Sequence, residues 1–138
     1  MNVRVKWTGN MTFVGETGSG HAVVMDGPPE HGGRNLAVRP MEMVLLGLGG
    51  CSAFDVVSTL KKSRQQIDGC EVSIEAERAD AVPAVFTRIH VRYQVIGSDL
   101  SDKQVQRAVA LSAEKYCSVS VMLAKTAHMT YDYEIIRV

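Results

Sequence analysis

The sequence predicts an α+β domain, with antiparallel sheet and helices on one face. Three observations carry this. Short runs near both ends alternate apolar and polar residues; one central segment of about 25 residues has helical signals and is apolar around most of its first half; and the elements run strands, long helix, strands, helices, strand. A chain of 138 residues, 46% hydrophobic and 22% charged, has the size and apolar content of one domain spanning residues 1–138.

Val3, Val5 and Trp7 alternate with Arg4 and Lys6, the pattern of a half-buried strand, and Met11–Gly15 and His21–Asp26 continue it as a three-stranded meander. Residues 27–38, GPPEHGGRNLAV, carry Pro-Pro and Gly-Gly without periodicity and form a loop long enough to act as a flap. Pro40 then suits a first helical position and Glu42 adds an acid to the first turn, while Lys61, Lys62 and Arg64 place positive charge at the far end, before a stop at Asp68-Gly69. Gly47, Gly49 and Gly50 lie inside this helix, where each costs about 1 kcal/mol relative to alanine. Their expected return is room beside Cys51 and a close helix crossing. A helix so apolar must be covered on several sides, more than one small sheet supplies, so a homodimer packed through these helices is expected.

Val72, Ile74 and Ala76, and then Val85, Thr87, Ile89, Val91, Tyr93 and Val95, mark one face of a hairpin. Ser101 with Gln104 forms a capping box for a helix through about Tyr116; a short helix from Ser118 to about Lys125 and a strand from Met129 to Val138 follow.

Fifteen basic residues balance fifteen acidic ones with no basic run, which argues against nucleic acid or an anionic membrane as partner. The most apolar run, Met43–Phe54, is too short to span a bilayer, and the N-terminus lacks a secretory pattern, so a cytoplasmic location is expected. Three cysteines there imply transient chemistry rather than a disulfide framework. No C-x-x-C, H-E-x-x-H or G-x-S-x-G occurs, and His21, His31, His90 and His128 are scattered; neither a metal site, another cofactor nor a serine hydrolase is expected.

Cys117 precedes a helix N-terminus and follows Lys115 by two residues, both of which favour thiolate; a small buried hydrophobe is the alternative. Cys51 is mid-helix, and is either a core residue in a glycine seam or an accessible thiol. Cys70, beside Glu71, reads as structural. Glu42, nine residues before Cys51, falls on the opposite face of a straight helix about 13.5 Å away and suits the helix N-terminus; Arg34 and Arg39 flank the loop's end.

RPMEMVLLGLGGCSAFDVV resembles the Pro-x-Glu, helix, Cys segment of the OsmC/Ohr family, the osmotically inducible and organic hydroperoxide resistance proteins. EKYCSVSVML resembles that family's second motif, Cys-Pro-x-Ser, and the wording of both is closest to its YhfA-like branch. The resemblance implies an OsmC-like fold, antiparallel sheets wrapped around a long central helix in an intertwined homodimer with active sites at the interface. It also implies a thiol peroxidase without metal or haem, defending against oxidative stress. Cys51 would attack an organic hydroperoxide, Cys117 would resolve the sulfenic acid as a disulfide, and a dithiol of lipoyl type would restore the pair. Glu42 and Arg39 stand as auxiliary residues. The hydroperoxidases have an acid directly after the Pro, where this chain has Met41, and Ser118 replaces the second motif's Pro. The alternative is a non-enzymatic member whose pocket binds a small apolar or thiol ligand, or senses oxidation.

Overall fold

The structure is a computed structural model describing residues 1–138, which divide into two compact units, Met1–Leu46 and Gly47–Val138. In the first, β1 (Val3–Gly9), β2 (Thr12–Thr17) and β3 (Ala22–Met25) form the expected antiparallel meander. Val3, Val5 and Trp7 are exposed rather than half-buried, Trp7 at 68%, while Arg4 and Glu16 pair at 2.8 Å on the other face of β1.

The loop after β3 is tied down by a residue whose role was hidden in the sequence. The buried Asp26 carboxylate accepts N–H bonds from Gly27 (2.7 Å), Leu36 (3.2 Å) and Arg34 (3.5 Å), and the Gly27 amide bond does most to hold its pKa below the usual value. A Cβ on Gly33 would overlap the Gly27 backbone, which explains one of the glycines there.

Helix α1 (Pro40–Lys62) is 23 residues, about 35 Å long. Its start follows the sequence signals: Pro40 is its first residue, and Glu42 Oε1 accepts the Arg39 amide at 2.9 Å, half of a capping box. Its end does not. The helix stops before Asp68-Gly69, in a Schellman motif where the Gln65 amide bonds Leu60 O at 2.9 Å, the Arg64 amide bonds Lys61 O at 3.0 Å, and Arg64 takes the left-handed conformation at φ 60°.

Only one stripe of α1, Leu48, Ser52, Val56 and Leu60 at intervals of four, is buried. Leu46 is 60% and Phe54 75% exposed. A Cβ at Gly47 or Gly50 would meet nothing within 4 Å, whereas one at Gly49 would touch Ile74 Cδ1 at 3.4 Å. Within one chain, therefore, only Gly49 sits in a packing seam. An 18-residue window of α1 has mean hydropathy 1.7, enough to cross a membrane by length and composition, which the Met43–Phe54 run alone did not suggest. Those criteria pass core helices equally, and within one chain 22% of that window is buried.

In the second unit, β4 (Gly69–Arg78), β5 (Phe86–Ile96) and β6 (His128–Ile136) form a sheet in the order β4-β5-β6. It is mixed rather than antiparallel, because β6 runs parallel to β5 from Arg88↔His128 to Ile96↔Ile136. A parallel pair needs a crossover, supplied by α2 (Asp102–Leu111) and α3 (Ser118–Leu123). Ile89, Val91, Tyr93 and Val95 of β5 are buried with Val105, Ala108 and Val109 of α2. At the start of β5 the register shifts between Glu77 and Arg78, so Phe86 is buried and Val85 exposed, the reverse of simple alternation. The opposite face carries a polar ladder in which Arg92 bonds Asp132 at 2.7 Å and Glu134 at 3.2 Å.

Ser101 caps α2 by accepting the Gln104 amide, but the reciprocal half of the box is taken by Gln65, whose Oε1 accepts the Ser101 amide at 2.8 Å. The helix expected to reach Tyr116 widens into a π-turn over Ser112–Tyr116, closed by the Cys117 amide on Ser112 O at 3.0 Å. α3 ends at Leu123, short of Lys125.

Candidate active site

The crossover brings Cys117 to Cys51 from 66 positions away in the sequence. α1 presents Cys51, Ser52 and Asp55 within a little over one turn. The π-turn then swings the chain so that Cys117 becomes the N-cap of α3 with its Sγ accepting the Ser120 amide at 3.4 Å. The sulfurs of Cys51 and Cys117 and a carboxylate oxygen of Asp55 all lie within 4.8 Å of one another, and no disulfide joins the cysteines.

Four further polar groups frame this cluster. Ser52 Oγ donates to Cys117 Sγ at 3.5 Å, and Ser112 Oγ lies 3.1 Å from Ser52 O and 3.4 Å from Asp55 Oδ2. Ser120 Oγ donates to Ala113 O at 3.2 Å, holding the π-turn to α3. The phenol of Tyr93 faces Ser52 and Ser112 and, being buried, is held in its neutral form well above neutral pH. Cys51 is partly accessible whereas Cys117 is fully buried.

The electrostatics of Cys117 depart from expectation. The helix N-terminus is present and the Ser120 and Ser52 donors do favour thiolate, but burial outweighs them and pushes the Cys117 thiol up. Lys115, the second cause expected from sequence, makes no salt bridge and does not reverse that balance. Burial likewise raises Cys70, in keeping with a structural thiol. Glu42 occupies the start of α1 on the Arg39 amide, and neither Glu42 nor the Arg39 side chain forms an ion pair.

Asp55 was missed in the sequence, although its i, i+4 spacing from Cys51 puts the two on one helix face. Burial pushes its carboxyl up from 3.8, against the pull of Ser112. A raised folded-state pKa contributes stability fully below the unfolded value and loses it as pH rises through the folded value. Asp55→Asn should therefore leave stability unchanged at about pH 2.5, well below 3.8, and raise the urea midpoint at pH 7 to 8. Denaturation across that range checks the sign.

Comparison with known proteins bears on this arrangement. The OsmC-like protein family model matches residues 32–132. The protein YhfA of Escherichia coli (strain K12) is 50% identical over 136 residues, covering 99% of this chain and 98% of that one. A structure described as structural genomics superposes with TM-score 0.91 at 48% identity over 100% of both chains. An organic hydroperoxide resistance protein OsmC, described as a predicted redox protein and regulator of sulfide bond formation, from Legionella pneumophila superposes with TM-score 0.71 over 100% of this chain and 98% of that one. Its identity of 16% speaks to the fold alone.

Proposed function

Since the chain belongs to the OsmC-like protein family, we propose that it is a thiol-dependent peroxidase reducing organic hydroperoxides through Cys51 and Cys117. The observation that carries this is the approach of the two thiols, one partly accessible and one buried, from separate elements. The Cys51 thiolate attacks one oxygen of the hydroperoxide, the O–O bond breaks, and the departing alkoxide takes a proton to leave as alcohol. Asp55 is the titratable group placed to supply it. The Cys117 thiol, as thiolate, then attacks the Cys51 sulfenic acid, water leaves, and the disulfide is returned to two thiols by exchange with a cellular dithiol of lipoyl type. Glu42 and Arg39 stand in this reading as auxiliary residues, and no metal or organic cofactor takes part. The role is defence against oxidative stress in the cytoplasm, where three free cysteines suit a reducing medium. The test is peroxide consumption with dihydrolipoamide as reductant, cumene hydroperoxide against hydrogen peroxide. Multiple turnovers faster with the organic peroxide support the proposal; no turnover with either overturns it.

We also propose that the working form is a homodimer. Its support is the apolar surface one chain leaves bare: Val3, Val5 and Trp7 on β1, and on α1 a groove of about 640 Å³ lined by Gly50, Ala53, Phe54, Val57 and two lysines. Phe54→Asp should shift the protein from dimer to monomer in sedimentation equilibrium. A wild type that is monomeric at micromolar concentration defeats this part. The same groove favours the alternative, a module that binds a small apolar ligand or senses oxidation, which would show stoichiometric thiol oxidation and no turnover.

A further inference from the structure

We propose that Cys51, Asp55 and Cys117 form a Zn²⁺ site in the reduced protein, with the fourth position open. The inference does not rest on peroxidase activity and stands or falls without it.

The ligand set is two soft sulfurs and one carboxylate, a combination zinc accepts in tetrahedral coordination. All three ligand atoms lie within 4.8 Å of one another. Two sulfurs bound at 2.3 Å to one tetrahedral ion are about 3.8 Å apart, so atoms within 4.8 Å of one another need close by no more than about 1 Å. Cys51 and Asp55 sit at i, i+4 on α1, a spacing that lets two helical side chains grip one ion, and Cys117 closes the site from the end of α3. None of this appears as a motif, because the third ligand arrives through the fold.

The surroundings supply the outer hydrogen bonds a metal site needs. The Ser120 amide and Ser52 hydroxyl donate to Cys117 Sγ, and Ser112 Oγ is within reach of Asp55 Oδ2. No lysine or arginine forms a salt bridge with Asp55 or a hydrogen bond to any of the three ligands. A divalent ion is therefore the natural counter-charge when all three are anionic. Cys51 and Asp55 are partly accessible, leaving an entry path.

Binding deprotonates both thiols and forms two Zn–S bonds and one Zn–O bond, so about two protons leave per ion and affinity rises with pH. Because both sulfurs are used, zinc and the Cys51–Cys117 disulfide exclude one another. A zinc-loaded protein is shielded from peroxide until the metal is withdrawn.

The test is anaerobic titration of the full-length reduced protein with Co²⁺, followed by displacement with Zn²⁺. The expected result is a thiolate-to-cobalt charge-transfer band with visible bands of tetrahedral intensity at one equivalent, lost on adding Zn²⁺. Cys51→Ser and Cys117→Ser should each weaken or abolish the charge-transfer band. Asp55→Asn should keep it while lowering affinity at least about tenfold, and Cys70→Ser should leave it unchanged. Wild type oxidised with diamide should bind no cobalt, a control needing no variant to fold. Absence of the band in reduced wild type overturns the proposal, as does binding that survives oxidation, needs Cys70 or is indifferent to Asp55. Because no peroxide is present, loss of this site and loss of the peroxidase reading are separate outcomes.

Discussion

Cys51→Ser is expected to reduce hydroperoxide turnover at least about a thousandfold, toward the uncatalysed rate, while the protein stays folded. Serine nearly keeps the volume but replaces the sulfur nucleophile with a hydroxyl oxygen that is far harder to deprotonate and far less reactive toward peroxide, so the step that breaks the O–O bond loses its nucleophile. Cys117→Ser should behave differently. Serine is a better N-cap than cysteine, and its hydroxyl can still accept the Ser120 amide, so α3 keeps its start. The variant should consume one equivalent of peroxide and stop, with Cys51 held as sulfenic acid that a dimedone probe labels and mass spectrometry locates. Cys70→Ser should turn over as wild type does. Turnover surviving in Cys51→Ser would remove the assignment, and multiple turnover in Cys117→Ser without added monothiol would remove Cys117 as the resolving thiol.

How far the sequence alone reaches is visible in these same elements. The start of α1 was legible because Pro40 and Glu42 act through the backbone next to them, and the strands because period two is a local property. The end of α1 was not, since the left-handed residue is Arg64 rather than a glycine, and nothing in an arginine announces that conformation. Alternation reports which face is buried but not strand direction, which hid the parallel pairing of β6. The two cysteines were legible as candidates, and the family resemblance placed them in a pair. The direction of the Cys117 shift was not legible, because a helix terminus is a local cause whereas burial comes from elements distant in sequence. Asp55 carries no signal of its own in the sequence, because the groups that give it a role, Cys117 and Ser112, reach it only through the crossover.

The second large effect is on stability, and it separates the covered face of α1 from the bare one. Leu60→Ala should destabilise the protein by about 2–5 kcal/mol, a large part of the 5–15 kcal/mol typical of a domain. Leu60 is 0% exposed at the last position of the buried stripe, so truncation removes apolar burial and opens a cavity in the core. Its carbonyl, which accepts the Gln65 amide and the Ser63 hydroxyl, is main chain and survives the change, so the loss is one of packing rather than of the helix end. The urea midpoint should fall with an unchanged slope, by an amount relative to wild type that is the same at every protein concentration. Phe54→Ala is the counterpart on the bare face: in an isolated chain, at 75% exposure, it should cost little, within about 0.5 kcal/mol. In the proposed homodimer it removes a buried aromatic from the interface, so its midpoint should fall steeply and more so on dilution. Concentration-dependent loss in Phe54→Ala, set against concentration-independent loss in Leu60→Ala, would show that the groove is closed by a second copy. Equal and negligible dilution effects in both, with Phe54→Ala otherwise silent, would leave that groove open to solvent.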